Sequence, residues 1–415
     1  MPTRHIFINQ LRVGMYVAKL DVSWFRSPFL QHAFLVQEAD QITKLRRAGV
    51  QSVEIDPERG EEIRNTASGG TKTPTSCSSP GPAAVPPAPP SKPLAQLNEA
   101  YGQALVARKR LEQAASSIFS RLTDQGVVDR QQTTEALREI TAVTGTLDSS
   151  TLLMALSQDR NGDTSLSQHA LTTCTLSLLM GQNFNFNPLE LRELATAALL
   201  HDIGLLQVPP DVVQHFYSSS APLASRELLQ MQAHPRLGML TLERQGGFED
   251  QVLKIIEEHH ALLDGSGYPK ETCGAFTSNQ TRIVILADRY DELITGFGGA
   301  SPLTPHQTLQ HLFTEAEDGQ LDREILARFI KLVGIYPLHS CVRLNTGEQA
   351  VVTQLNPDKL HQPTVAITHQ PDGSNYVPPL VLDLSRQDKG TPQRAIESVL
   401  DTTLPHLQLP PSYAA

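Results

Sequence analysis

The chain has little of what several classes of protein require. Its 415 residues include only four cysteines, and no two of them form a CxxC pair. This spacing fits reduced thiols better than a disulfide framework or a thiolate zinc site. Any bound metal has to be held by histidines and carboxylates.

Basic charge and long apolar runs are also scarce. Lys and Arg number 34 against 44 Asp and Glu, for a net charge of −10, which argues against a protein that coats a nucleic acid polymer. No apolar run approaches the roughly 18 residues of a membrane helix, so no membrane span is predicted. Residues 1–20 lack the basic start and apolar run of an export signal, so a cytoplasmic location is expected.

Composition also marks the domain boundaries. Residues 66–93 hold eight of the 29 prolines and no acidic or aromatic residue, which predicts a disordered linker. Before the linker, strand-like runs on both sides of a helical stretch predict a small α/β regulatory module over residues 1–65.

Residues 94–128 are predicted to form a connecting helix. Positions spaced alternately by four and three form one stripe: Leu97, Tyr101, Ala104, Arg108, Leu111, Ala115, Ile118 and Leu122. This spacing is typical of a coiled-coil seam, which would make a homodimer. The alternative is that the stripe packs onto the next domain of its own chain.

The rest of the chain separates into a helical part and a strand-rich part. Helical periodicity predicts an all-α domain over residues 129–335, including one helix from Ser225 to Leu242. Alternating runs between turn signals predict a small β-rich unit over residues 336–415, with a short helix near Gln393 to Leu400. The predicted fold class is therefore multidomain, with the all-α domain at the centre.

Six of the 14 histidines fall between positions 169 and 260. His201 and Asp202 come together at a predicted helix end, a pair that suits Fe, Mn or Zn. His259 and His260 precede a glycine-rich turn, where the end of the helix lets both imidazoles face one site. Asp288 lies within an apolar helix, where a carboxylate requires a partner. Any one of these residues alone is more often structural.

Taken together, these motifs resemble the HD-GYP family of the HD phosphohydrolase superfamily. The matching motifs are HDIG (201–204), HP (234–235), HH (259–260), DGSGYP (264–269) and LADRYDEL (286–293). The resemblance covers roughly residues 129–335 and implies an HD-type helical fold that hydrolyses the bacterial second messenger cyclic di-GMP. Residues 11–30 also look like the uncharacterised module that often precedes this domain.

The resemblance implies two divalent metal ions, Fe or Mn by preference. The implied ligands of one ion are His169, His201, Asp202 and Asp288. The implied ligands of the other are Asp202 as the bridge, His234, His259 and His260. Of these, His201 and Asp202 are expected to be catalytic. The substrate loop implied by the family consists of Gly265, Gly267, Tyr268 and Pro269.

Several positions depart from the family pattern. The lysine after HDIG, thought to serve the leaving oxygen, is Leu205, and the carboxylate after HH is Ala261. The cationic segment after the last motif reads Gly296 to Ala300, which contains no cation. Ser165 stands where members with a third metal have glutamate, so two metals are predicted. Turnover is expected to be slow, and Leu205→Lys is expected to raise it.

Three functions stay open at this point. The first is a cyclic di-GMP phosphodiesterase that yields pGpG, GMP or both, which the seven retained ligands favour. The second is a weak or inactive receptor or scaffold that binds cyclic di-GMP or a signalling partner such as a diguanylate cyclase, which the missing lysine favours. The third is hydrolysis of noncyclic nucleotides. This activity does not require His234, His259 and His260, so their presence argues against it.

Overall fold

The structure is a computed structural model that describes most of the chain. The described residues are 4–20, 34–36, 39–47, 50–57, 59, 94–125, 127–147, 149, 152, 153, 156, 165–218, 223–270, 277–297, 301–338, 340–387 and 393–400. The chain divides into two compact units, Met1–Pro86 and Pro87–Ala415. The predicted linker at 66–93 lies outside the described residues, so its disorder remains a prediction.

The first unit is a small α/β module, as predicted. Its elements are β1 (Arg4–Phe7), β2 (Tyr16–Leu20), β3 (Phe34–Leu35), α1 (Ala39–Arg47) and β4 (Ser52–Ile55). The strands form an antiparallel sheet in the order β1-β4-β2-β3. Leu45 of α1 shares a buried core with Val17 and Val53 of the sheet, so the helix covers one face.

The second unit begins with helices, which confirms the predicted helical centre. In chain order they are α2 (Leu94–Gln125), α3 (Arg130–Thr146), α4 (Leu166–Asn183), α5 (Pro188–Leu200), a 3-10 helix (Ile203–Gln207), α6 (Pro210–Ser218), α7 (Ser225–Gln232), α8 (His234–Gln245), α9 (Asp250–Glu258), α10 (Asn279–Thr295), α11 (Pro305–Glu317) and α12 (Arg323–Val333). Of these, α6 and α11 were not predicted, although each starts with proline in its first turn. No described helix has the length and apolarity needed to cross a bilayer.

Helix α4 forms the centre of this bundle. Every residue from His169 to Gly181 is buried, because α4 packs against α2, α3, α5, α10 and α12. A helix covered on all sides needs no polar face, which explains its weak amphipathic pattern. Since α4 is fixed on every side, the side chain of His169 is held in a rigid environment.

The stripe on α2 packs within its own chain. Leu111, Ala115 and Ile118 are buried, and α2 contacts α3 and α4. Arg108, also on the stripe, pairs with Glu112 at 2.5 Å. These residues therefore pack on the next domain of their own chain, which was the second alternative. The homodimer remains a prediction.

The single helix predicted from Ser225 to Leu242 is wrong, because the structure breaks it at Ala233. Pro235 has no N–H to donate, and its ring would clash with the carbonyl of Met231 in a continuous helix. The break places His234 at the start of α8, where its Nδ1 reaches the Met231 carbonyl at 2.7 Å.

The chain ends in a five-stranded antiparallel sheet, which confirms the β-rich unit. Its strands are β5 (Cys341–Leu344), β6 (Gln349–Gln354), β7 (Thr364–His369), β8 (Asn375–Asp383) and β9 (Ile396–Val399), in the order β8-β7-β6-β5-β9. The helix predicted near Gln393 to Leu400 is wrong, since this segment is β9. Pairing of β9 with β5 satisfies backbone groups on both strands, a nonlocal gain that local propensity does not reveal.

Candidate metal centre

Seven side chains from five parts of the helical bundle converge on one buried point. His169 comes from α4, and His201 and Asp202 lie where α5 ends. His234 starts α8, His259 and His260 follow α9, and Asp288 comes from α10. Three sets of ligand atoms lie within 4.8 Å of one another: Asp202, His234, His259 and His260; His169, His201 and Asp202; His201, His259 and Asp288. The structure thus brings together all seven implied ligands.

Asp202 lies between two groups of histidines. Its Oδ1 is 3.1 Å from Nε2 of His234 and 3.5 Å from Nε2 of His259. Its Oδ2 is 3.7 Å from Nε2 of His169 and 3.6 Å from Nε2 of His201. Each carboxylate oxygen therefore faces a different pair of imidazoles, which is the arrangement that a bridging carboxylate requires.

Both oxygens of the second carboxylate, Asp288, also face imidazole nitrogens. Its Oδ1 lies 3.0 Å from Nε2 of His169 and 3.6 Å from Nε2 of His201. Its Oδ2 faces Nδ1 of His260 at 3.8 Å. Asp288, which lies in an apolar helix and requires a partner, thus has three imidazoles around it.

Backbone carbonyls fix the orientation of three of the imidazoles. In each case Nδ1 meets the carbonyl oxygen of the residue three positions earlier. The pairs, at 2.9, 2.7 and 2.6 Å, are His201 with Ala198, His234 with Met231 and His259 with Ile256. Because a carbonyl only accepts, Nδ1 carries the proton and Nε2 turns its lone pair to the centre.

His169 is oriented by a carboxylate instead. Its Nδ1 lies 2.8 Å from Oδ2 of Asp291, which is itself buried. Burial disfavours the charged form of His169, but hydrogen bonds to Asp288 and Asp291 outweigh it and raise the pKa of His169 well above its usual value. Asp291 belongs to the LADRYDEL motif, yet sequence reasoning gave it no role; its spacing of three from Asp288 was the available signal.

The electrostatics of the centre favour a cation. Burial opposes ionisation of Asp202 and Asp288, but the surrounding histidines hold the pKa of both carboxyls well below the usual range. Burial also lowers the pKa of His259 and, more strongly, of His260. The centre therefore combines ionised carboxylates with the neutral imidazoles of His259 and His260, the forms in which these groups bind metals. The same carboxylates outweigh burial at the other two histidines and raise the pKa of His169 and His201.

The contacts between imidazoles provide a direct test of whether a metal fits. Nε2 of His234 and Nε2 of His259 are 3.1 Å apart, and in both rings the proton resides on Nδ1. Two lone pairs that face each other at this distance repel unless positive charge lies near them. Nitrogen and carboxylate donors in this number suit Fe, Mn or Zn, so the residues present fit divalent metal ions.

The predicted substrate loop folds back onto His260. The N–H of Tyr268 donates to the His260 carbonyl at 3.0 Å, and the Tyr268 ring centroid lies 4.6 Å from that of His260. A Cβ on Gly267 would come within 2.1 Å of the same carbonyl, so only glycine permits this approach. Gly265 has a φ of +81°, and the peptide bond before Pro269 is cis. The loop therefore forms the rim of the centre.

The HDIG glycine has an equally strict packing role. A Cβ on Gly204 would lie 1.9 Å from the carbonyl oxygen of His234. The absence of a side chain lets the 3-10 helix and α8 approach closely, so that Asp202 and His234 reach the same point.

The structure gives physical reasons for two of the departures from the family pattern. Leu205 is buried in an apolar cluster with Val208, Val212 and Met231. Ser165 caps α4, where its Oγ accepts a hydrogen bond from the N–H of Gln168 at 3.4 Å. Both side chains therefore stabilise the bundle.

The remaining departures from the family pattern are Ala261 and the segment from Gly296 to Ala300. Ala261 is fully buried. Gly296 has a φ of +70° and ends α10, and the ring of Phe297 stacks on His169 with centroids 4.0 Å apart. Residues 298–300 lie outside the described part of the chain.

Sequence reasoning also missed three side chains around the centre. The rings of Tyr217 and Phe297 lie 4.8 Å apart. Desolvation and the charge of Asp288 raise the pKa of Glu292 to about 8. Glu292 lies one turn after Asp288, a spacing that places both on one helix face, and the apolar spacing of α6 was the signal for Tyr217.

Comparison with known families agrees with this geometry. Residues 153–325 match the family described as HD domain (HD_5). Residues 3–133 match the family described as Domain of unknown function (DUF3391). The first match contains all seven residues of the centre, and the second includes the small α/β module.

Several characterised proteins are similar in sequence. Cyclic di-GMP phosphodiesterase PA4108 of Pseudomonas aeruginosa is 26% identical over 92% of this chain and 89% of its own length. Cyclic di-GMP phosphodiesterase PdeB of Borreliella burgdorferi is 23% identical over 48% of this chain and 50% of its own. 3'3'-cGAMP-specific phosphodiesterase 1 of Vibrio cholerae is 26% identical over 38% of this chain and 36% of its own length. This chain thus spans half or less of the last two relatives.

Among solved structures, Bd1817, an HDG"Y"P protein from Bdellovibrio bacteriovorus, is 14% identical, with a TM-score of 0.44 over 79% of this chain and 98% of that chain. The family assignment depends on the sequence motifs, the two family matches and the similarity to PA4108 along nearly the whole chain. The chain therefore carries an HD domain preceded by a DUF3391 module, and its motifs resemble those of the HD-GYP family.

Proposed function

We propose that this protein is a metal-dependent phosphodiesterase that hydrolyses cyclic di-GMP to pGpG, GMP or both. The observation that carries the proposal is the division of Asp202 between two pairs of imidazoles, one facing each oxygen. A purely structural carboxylate needs no such arrangement. The names of PA4108 and PdeB support cyclic di-GMP as the substrate class.

The proposed ligand sets follow this division. His169, His201, Asp202 and Asp288 would hold one ion, and Asp202 would be shared with a second ion held by His234, His259 and His260. When bound, divalent ions lower the pKa of a water and stabilise charge on phosphorus during in-line displacement. Fe or Mn is the proposed metal.

The remaining groups position the substrate and keep the ligands in place. Asp291 holds His169 in the tautomer that turns Nε2 toward the centre. Gly265, Gly267, Tyr268 and Pro269 form the rim that a bound dinucleotide contacts. The lysine missing at Leu205 removes one donor for the leaving oxygen, which supports slow turnover.

The test is turnover of cyclic di-GMP by protein purified anaerobically and loaded with Fe or Mn. Separation of linear pGpG from GMP identifies the products, and parallel assays with 3'3'-cGAMP and a noncyclic dinucleotide define the substrate class. We expect turnover of cyclic di-GMP that Asp202→Asn abolishes and that the exposed control Asp372→Asn leaves unchanged. Tight binding without turnover would instead favour a receptor, and cleavage of only noncyclic substrates would favour a general HD nuclease.

Four statements about location, partners, assembly and regulation remain predictions. The cytoplasmic location, a diguanylate cyclase or other signalling partner and a homodimer rest on sequence reasoning alone. The regulatory role of the DUF3391 module has the same standing.

A further inference from the structure

Helix α6 brings a tyrosine next to the metal centre. The helix starts after Pro209, and its apolar residues Val212 and Phe216 pack in the cluster that contains Leu205. This cluster holds the inner face of α6 against the 3-10 helix that follows Asp202. Tyr217 comes next on the helix, and its ring lies 5.4 Å from that of Phe216.

The ring of Tyr217 is linked to a ligand through one intervening side chain. It lies 4.8 Å from the ring of Phe297, which stacks on His169 at 4.0 Å and an interplanar angle of 11°. Burial, together with the negative charges of Asp202, Glu292 and Asp288, raises the pKa of Tyr217. The phenol therefore keeps its proton at neutral pH and acts as a hydrogen-bond donor.

The hydroxyl of Tyr217 is free to contact a ligand. Within the described part of the chain it makes no hydrogen bond, and the side chain is only half-buried. Arg289, the cation beside Asp288, is by contrast already engaged: it donates to Glu315 at 2.8 Å and to Glu292 at 3.1 Å. Leu205 and Ala261 have no donor to offer.

We propose that the phenol hydroxyl of Tyr217 donates a hydrogen bond to the phosphodiester of the substrate, on the side where Leu205 replaces the family's lysine. This inference rests on the proposed function and assigns it a further catalytic residue. The substitution at Leu205 and the position of Tyr217 are then two parts of one arrangement, because the leucine anchors the helix that presents the tyrosine.

The test compares Tyr217→Phe with Tyr376→Phe in metal-loaded protein. Tyr217→Phe removes only the hydroxyl and retains the ring against Phe297. Tyr376→Phe is the matched control, since its hydroxyl donates to Glu348 at 3.0 Å in the C-terminal sheet. Two substrates are used: cyclic di-GMP, and bis(p-nitrophenyl) phosphate, which has a phosphodiester but no base. Metal content and melting temperature are measured for each variant.

We expect Tyr217→Phe to lower kcat/KM about 10²-fold on both substrates, the order found when one preorganised donor is removed. Metal content and melting temperature should match the wild type, and Tyr376→Phe should retain full activity. A loss confined to cyclic di-GMP would show contact with a base and overturn the proposal, as would unchanged kinetics or a loss of metal that accounts for the effect.

If the wild type binds cyclic di-GMP without turnover, the proposed function fails while the inference is still tested. Calorimetric affinity for cyclic di-GMP then decides: at least a threefold weakening in Tyr217→Phe, with the control unchanged, supports the hydrogen bond. Equal affinities contradict it. A wild type that neither binds nor hydrolyses cyclic di-GMP overturns both the function and the inference.

Discussion

The helical bundle and the C-terminal sheet each bury charged side chains, but they do so in opposite ways. In the sheet, Arg394 donates to both oxygens of Glu348, at 2.5 and 3.0 Å. The hydroxyls of Thr346 and Tyr376 donate to the same carboxylate at 2.6 and 3.0 Å. Each charge has its complement within the sheet, so the network is complete.

In the bundle, by contrast, hydrogen-bond acceptors face one another. The carboxylates of Asp202 and Asp288 face imidazole nitrogens, and Nε2 of His234 faces Nε2 of His259 at 3.1 Å. Buried charge alone therefore does not identify a functional site, because satisfied networks are also buried. The informative feature is the pair of Nε2 lone pairs of His234 and His259, which face each other without a protein donor between them.

Removal of the carboxylate of Asp202 should have the largest effect on the metal centre. Asp202→Ala deletes both oxygens that face the imidazole pairs, so we expect metal content to fall from about two ions per chain to less than one. Elemental analysis of protein loaded under identical conditions measures this change. If Asp202→Ala retains the metal content of the wild type, the carboxylate is not a bridge.

The matching substitution in the sheet is Arg394→Ala. It leaves Glu348 buried without its cation, which costs about 3–5 kcal/mol of unfolding free energy. Chemical denaturation measures the loss, and metal content should not change. A loss of metal in this variant would contradict the separation of the two regions.

This pair also has a pH signature. Burial opposes ionisation of Glu348, but hydrogen bonds from Arg394 and Thr346 outweigh it and lower the pKa of Glu348. The stabilisation is therefore present above the unfolded pKa and is lost as pH falls through the folded pKa. The stability difference between wild type and Arg394→Ala should shrink in acid.

A smaller effect is expected at Leu205. The burial of Leu205 in an apolar cluster argues against the expectation that Leu205→Lys raises turnover. An ammonium there should destabilise the protein by roughly 1–3 kcal/mol, while Leu205→Met should cost less than about 1.5 kcal/mol. Melting temperatures and turnover of both variants test this, and higher turnover by the lysine variant would show that position 205 reaches the substrate.

The smallest effect is expected at Asp291, which orients His169. Asp291→Asn keeps an oxygen that accepts from Nδ1 of His169 but removes the charge, so metal affinity should weaken by about tenfold. Metal titration monitored by calorimetry measures the difference. An unchanged affinity would make Asp291 a structural partner only.

Most of the proposed ligands could be predicted from local signals in the sequence, whereas His169 and His234 came only from the family resemblance. His201 and Asp202 end a helix, and His259 and His260 precede a glycine turn. Asp291 and Tyr217 were missed because their importance comes from contacts across the fold, with His169 and Phe297 respectively. Strand β9 was missed for the same reason, since its partner β5 lies about 50 residues earlier.

The most direct test of the metal centre is elemental analysis of the wild-type protein after anaerobic purification with Fe or Mn supplied. Seven converging ligands with Asp202 as the bridge predict about two ions per chain. A preparation that is folded yet holds no metal under these conditions would contradict the binuclear centre, and with it the proposed chemistry.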